Sequence, residues 1–196
     1  MIDGVRTMPL IVREDERGYL IEIASQSWKL APIVHVYEAM ARQGVIKGFH
    51  AHLKQTDRFY LLCGVAKIGL VDLRGPIYEL FADKDENGGP GTWLCHVGGD
   101  NKSSKFTDIY PDNEAWMNAL GITEESPTFG MMDSVIMSRK IAQLLFIPPG
   151  VAHGQMAIEG PSRILNLPTE VYNRKMPDEV RMPYDFLDFS WAIINR

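Results

Sequence analysis

Short apolar runs broken by turn residues recur along most of this chain, and their alternation has the period of strands rather than helices. Residues 8–25 read as two short strands around a turn at Asp15-Glu16-Arg17-Gly18, after which Tyr19-Leu20-Ile21-Glu22-Ile23 alternates weakly. Ile33-Val34-His35-Val36-Tyr37 is β-branched and aromatic, hence a predicted strand. Val45-Ile46 leads into another at Gly48-Phe49-His50. Phe59-Tyr60-Leu61-Leu62-Cys63 should end in a turn at Gly64, with Ala66–Leu73 following as a separate strand. Strand pattern returns at Asp133–Met137 and Ala142–Ile147, and Ser162–Leu167 and Phe186–Ile194 read as β or irregular.

The pattern loosens between Gly75 and Glu125. Asp83 to Gly91 is loop by composition. Pro111 to Leu120 predicts a short helix, with Pro111 in its first turn and Gly121 at its end. A structureless connection of this length is unusual, so a folded insertion or lid is expected. It reads equally as a decorated surface loop, a flap over a barrel mouth or a dimer arm. Trp93 and Trp116 lie here, and packing within a small subdomain is the favoured reading over stacking on a ligand. Closely spaced short strands without βαβ units predict an all-β sandwich or barrel.

Composition narrows the function classes. The chain has 196 residues, 45% of them hydrophobic and 23% charged, which suits one soluble domain. A formal net charge of −5 argues against a general nucleic-acid or membrane surface, though not against a local cationic cleft. The two cysteines, Cys63 and Cys95, form no CxxC, and no apolar run reaches transmembrane length. A cytoplasmic protein is expected.

The candidate chemistry lies in Gly44–His52 and Pro148–Gly154, which together hold three of the five histidines. Three readings stand side by side. The histidines are satisfied packing; or they hold a metal; or they move protons without one. For the metal, Gly44, His50, His52, Asp57 and Gly64 have the spacing of the first cupin motif, with Asp in place of Glu. Pro148, Gly150 and His153 resemble the second motif, whose closing Asn position holds Ala157. His50, His52, Asp57 and His153 would then ligate a divalent transition metal such as Fe, Mn, Ni or Zn. For proton transfer, a His–carboxylate pair serves as base, and Lys47, Lys54, Arg58 or His153 is available to stabilise an enolate oxygen.

An ordered set of segments then carries a family resemblance. They are Asp15–Glu22, Val45–His50, Gly69–Arg74, Ser126–Gly130, Ile147–Gly154, Pro168–Asn173 and Tyr184-Asp185. In this order they resemble the dTDP-4-dehydrorhamnose 3,5-epimerases, cupin-type enzymes of nucleotide-sugar metabolism. The resemblance implies an all-β cupin jelly roll over residues 1–196, with an insertion at about 75–125. It implies a homodimer that needs no metal and acts on a nucleotide-linked 4-keto-6-deoxysugar. His50 would be the base, Asp185 would orient it, and His153 would polarise the ketone or bind the sugar. Arg17 and Glu22 would hold the nucleotide, in the same subunit or by reaching across the dimer. Lys47, Arg58, Asn166 and Tyr172 complete the expected substrate contacts.

The chain departs from the family pattern at defined places. The family's tyrosine acid falls on Asn166, its lysine near the enolate oxygen falls on Asp57, and Lys47 replaces an arginine. Tyr60 and Tyr172 could serve as the acid in its place. Gly48-Phe49-His50-Ala51-His52 also resembles the Gly-x-His-Ala-His of sugar-nucleotide 3,4-ketoisomerases, in which His50 and His52 would shuttle the proton and Tyr37 would be an extra donor. A metal-dependent cupin enzyme and a noncatalytic sugar-nucleotide-binding cupin are also compatible with these residues.

Overall fold

The structure, a computed structural model, describes residues 1–82, 89–96, 103–175 and 177–193. Its strands are β1 (Arg6–Pro9), β2 (Val12–Asp15), β3 (Gly18–Ile21), β4 (Tyr37–Ala41), β5 (Ile46–Ala51), β6 (Asp57–Asp72), β7 (Leu94–His96), β8 (Ser103–Lys105), β9 (Met132–Ser138), β10 (Gln143–Ile147), β11 (Val151–Asn166) and β12 (Val180–Arg181). Helices α1 (Phe106–Ile109) and α2 (Asn113–Leu120) lie between β8 and β9. All strand pairs are antiparallel, and the all-β expectation holds.

The centre is the pair β6–β11, each 16 residues long. Its register runs from Val151 opposite Asp72 to Asn166 opposite Phe59. The free edge of β6 takes β10 along Asp57–Tyr60 and β9 along Val65–Val71. The free edge of β11 takes β5 near its start and β4 at its end. Register shifts between Ala157 and Ile164 divide the pair into two arms, and such bulges bend a ladder.

Gly64 lies at this bend. The expected turn there is absent, and the chain runs on as one strand. The glycine instead lets the two paired backbones approach closely at the bulge: its φ is +81°, and a Cβ would stand 2.5 Å from the Pro161 carbonyl oxygen.

The strand expected at 33–37 begins only at Tyr37. Just before it, the Ala31 and Pro32 carbonyls accept from the Arg58 guanidinium, so this stretch is tied to a side chain rather than to a ladder.

Between β6 and β9 the described chain folds against the sheet. Helix α2 ends as expected at Gly121, left-handed at φ 68°, but starts at Asn113 rather than Pro111: the Asp112 side chain caps it by accepting from Ala115 N–H at 2.8 Å, which leaves Pro111 ahead of the first turn. Trp93 and Trp116 are fully buried and pack around Phe106, which settles them as packing residues. Trp116 Nε1 donates to the Leu73 carbonyl. Strand β7 pairs with β12, and β12 with β5, so this segment widens the sheet beside His50. Of the loop expected from Asp83 to Gly91, residues 83–88 lie outside the described residues, and Pro90–Thr92 forms a 3-10 turn.

Candidate active site

Beside the start of β11 two glycines face each other. A Cβ on Gly48, whose φ is +141°, would stand 2.5 Å from Gly154 Cα. This bare contact lets β5 and β11 close together, and the register shifts there. At the next paired position His50 stands opposite His153, with ring centroids 4.2 Å apart. His52 lies two residues beyond His50 and so on the same face, at 5.2 Å from the His50 ring.

Asp57, the first residue of β6, is the centre of this cluster and is wholly buried. Its Oδ2 lies 2.9 Å from His153 Nε2 and 3.5 Å from His52 Nε2. Its Oδ1 accepts from Gln55 Nε2 at 2.6 Å and Asn166 Nδ2 at 2.9 Å. Burial works against the charged carboxylate, but the His153 and His52 hydrogen bonds and charges outweigh it and hold Asp57 well below the usual range.

The histidines are oriented from behind. His153 Nδ1 lies 3.0 Å from the Val151 carbonyl, and His52 Nδ1 meets the Asp178 carbonyl. The Asp178 carboxylate accepts from the backbone N–H groups of Leu53, Lys54 and Gln55 at 2.9–3.0 Å, fixing the loop that carries His52. His52 Nε2 has two neighbours that favour opposite states. The Gln55 amide nitrogen at 3.1 Å suits a neutral ring, and the Asp57 carboxylate suits a cation. Burial also disfavours the cation, but a full buried charge outweighs both, and Asp57 raises His52 to about 9.

His50 is pushed the other way. Burial, then the His153 and His52 charges, hold it well below 6.5. Among the described residues its ring makes no hydrogen bond. It is a neutral imidazole facing a cavity of about 1190 Å³, a volume suited to a ligand larger than a simple sugar. Lys47, Lys54, Glu170, Tyr172, Glu179 and Arg181 line its more polar parts. Tyr37 lines it as well, and burial followed by the Asp57 charge raises the phenol to about 12. A neutral base beside cationic and hydrogen-bonding groups can remove a proton next to a carbonyl.

The donor set also fits a metal. The ligand atoms of His50, His52, Asp57 and His153 all lie within 4.8 Å of one another. Three imidazoles and a carboxylate suit a first-row divalent ion.

The sequence profile of the dTDP-4-dehydrorhamnose 3,5-epimerase family matches residues 111–196. The spore coat polysaccharide biosynthesis protein SpsL of Bacillus subtilis (strain 168) is 30% identical over 197 residues, covering 97% of each chain. The chain belongs to the dTDP-4-dehydrorhamnose 3,5-epimerase family. A probable low-salt glycan biosynthesis epimerase, Agl13 of Haloferax volcanii, is 27% identical over 94% of this chain and 89% of its own. The crystal structure of a dTDP sugar isomerase from Desulfovibrio desulfuricans G20 superposes with a TM-score of 0.66. It covers 99% of this chain and 94% of its own at 19% identity, and shares the fold. This member of the epimerase family is therefore an isomerase on a cupin jelly roll.

The structure brings some expected residues of this epimerase together and separates others. His50, His52, His153, Lys47, Asn166 and Tyr172 line the cavity. Asp185 does not: it is exposed at the start of the 3-10 turn Phe186–Asp188. Asp57 is the carboxylate of the histidine cluster instead. Arg58 is turned away, its guanidinium donating to the carbonyls of Ala31, Pro32, Leu167 and Pro168. Arg17 is exposed in the β2–β3 turn and paired with Asp15 at 2.6 Å. Glu22 is exposed just beyond β3. Asn166 lines the wall but spends its amide on the protein, because Oδ1 accepts from Arg58 N–H and Nδ2 donates to Asp57 and Tyr37. Tyr60 is buried, its hydroxyl accepting from Arg139. Sequence reasoning missed Gln55, Asp178, Glu179 and Arg181, which lie in polar stretches without a motif.

Proposed function

We propose that this epimerase acts on a nucleotide-linked 4-keto-6-deoxysugar, with His50 removing the proton beside the ketone. The observation that carries this reading is the state of His50. It is the imidazole of the cluster without a hydrogen-bond partner among the described residues, it faces the cavity, and its surroundings keep it unprotonated at neutral pH. The proton passes from the ring carbon to the His50 nitrogen, and the C–H electron pair becomes the enolate. His52, cationic beside Asp57, supplies positive charge near the developing oxyanion. Lys47 places a cation at the cavity wall for the diphosphate, and Arg181, paired with Glu179 at 2.7 Å, lies on the same lining.

The same reading makes the enzyme a cytoplasmic supplier of sugars for polysaccharide or glycan assembly, without a metal, nucleic acid or membrane partner. No described helix is long and apolar enough to cross a membrane. A homodimer is part of the proposal. Exposed apolar residues on β3 and around β4, among them Tyr19, Leu20, Val34, Val36 and Met40, support it.

Proton NMR of dTDP-4-keto-6-deoxyglucose in deuterium oxide tests the reaction. Deuterium should enter the ring beside the ketone, and His50→Asn should slow this by about 100-fold or more. Absence of exchange in the wild type, or undiminished exchange in the variant, overturns the reading.

The close grouping of His50, His52, Asp57 and His153 favours a second reading, a bound divalent metal that would polarise the ketone. Metal near one equivalent per chain, with activity lost on chelation and restored by that ion, would establish it.

A further inference from the structure

Removal of a proton by His50 opens the enolate but does not invert the carbon. Inversion needs a proton delivered to the other face, from a donor that the base itself cannot replace. We propose that the Tyr37 hydroxyl is this donor, positioned by Asn166. The inference rests on the epimerase reading above and names its second catalytic residue.

Three observations converge on Tyr37. First, it opens β4 directly opposite Asn166, the last residue of β11, and it lines the same cavity as His50. Second, the hydrogen bonds fix which way its proton points. Asn166 Oδ1 accepts from Arg58 N–H at 3.1 Å, which identifies the other amide atom as nitrogen. That nitrogen has two hydrogens, one given to Asp57 Oδ1 at 2.9 Å and the other to the Tyr37 oxygen at 2.7 Å. The phenol oxygen is therefore an acceptor here. Its own hydrogen makes no bond among the described residues and remains available to a ligand. Third, the base and this phenol occupy opposite ends of one connected network. His50 packs on His153, His153 contacts Asp57, Asp57 accepts from Asn166, and Asn166 donates to Tyr37. A sugar ring bound in the cavity therefore meets both an imidazole and a free hydroxyl in the same lining.

The residue is 39% exposed, but its hydroxyl lies in the part-buried contact with Asn166, where desolvation and then the Asp57 charge keep the phenol protonated until it is used. The step balances without a co-reactant. The enolate electron pair takes the Tyr37 proton and re-forms the C–H bond with inverted configuration, leaving tyrosinate. His50 then gives its proton to water and tyrosinate takes one from water, so no net proton is consumed. The other cavity phenols lack this arrangement: Tyr172 is 61% exposed against 39% for Tyr37, and among the described residues neither Tyr172 nor Tyr110 is held by a side chain linked to Asp57.

Tyr37→Phe removes one oxygen and tests the assignment when exchange and inversion are measured together. The enzyme is incubated with dTDP-4-keto-6-deoxyglucose in deuterium oxide. The variant should still wash deuterium into the carbon beside the ketone, within about tenfold of the wild-type rate, with the starting configuration retained. Epimer formation should fall by about 100-fold or more. The ratio of exchange to inversion is the readout, because a merely structural loss lowers both together. Inversion at the wild-type rate, or parallel loss of exchange and inversion, overturns the proposal. Absence of exchange in the wild type would instead overturn the epimerase reading on which it rests.

Discussion

Asp57 Oδ2 stands 2.9 Å from His153 Nε2, and neither residue is open to water. The carboxylate also faces His52, Gln55 and Asn166. Four side chains from three parts of the chain thus converge on one anion. Removing one partner of a buried charge network leaves the others uncompensated. Asp57→Ala should cost about 3–5 kcal/mol of stability, read by urea unfolding, and should remove activity. Asp185→Asn, at an exposed turn, should leave stability and the exchange rate close to wild type. Comparable loss in both variants would mean that Asp57 is not the working carboxylate.

The same anion makes stability depend on pH in a defined direction. His52 is raised from 6.5 to about 9 in the folded protein. Its contribution is therefore complete below pH 6.5 and is lost as pH rises through about 9. Asp57 is lowered, so its contribution is present above the ordinary carboxylate range and is lost on acidification. Tm measured across pH should fall on both sides of a neutral plateau. His52→Asn should lower the plateau and flatten the alkaline limb. An unchanged alkaline limb in that variant would contradict the assignment.

Gly48 sets the spacing of His50 and His153 through the backbone. Any Cβ there meets Gly154 Cα at 2.5 Å, and the positive φ is unfavourable for a side chain. Gly48→Ala should destabilise the fold by about 1–3 kcal/mol and reduce exchange activity more than substrate affinity. Thermal unfolding and steady-state kinetics read the two effects separately.

Arg58 and Lys47 have opposite expected phenotypes. Arg58 binds four carbonyls and holds the 31–32 segment to the strand end. Arg58→Ala should lower Tm by several degrees, since each charged hydrogen bond is worth about 1.5–3 kcal/mol. Lys47 is exposed on the cavity wall, and among the described residues it donates only to the Met40 carbonyl, at 3.3 Å. Lys47→Ala should leave Tm almost unchanged and raise KM severalfold. A KM effect in Arg58→Ala without loss of stability would return Arg58 to the substrate site.

Local patterning in the sequence determined the all-β class, the β2–β3 hairpin at Asp15–Gly18, and helix α2 between Asp112 and Gly121. These depend on turn residues, caps and alternation within a few positions, which any window of sequence contains. The two histidine segments were also legible, because their residue types and spacing carry chemistry on their own. The close approach at Gly64 was not legible, since a glycine that ends a strand and one that admits a neighbouring backbone look alike until Pro161 is in place. The carboxylate partner was legible only as a candidate metal ligand, where the cupin spacing grouped Asp57 with the three histidines; as the partner of the base, the family resemblance pointed to Asp185. Asp57, Asp178 and Asp185 are all acids near strand ends, and only the fold buries Asp57 between His52 and His153, ties Asp178 to three backbone N–H groups, and leaves Asp185 in water. Contacts between residues a hundred positions apart depend on register and bulges, which are properties of the whole sheet.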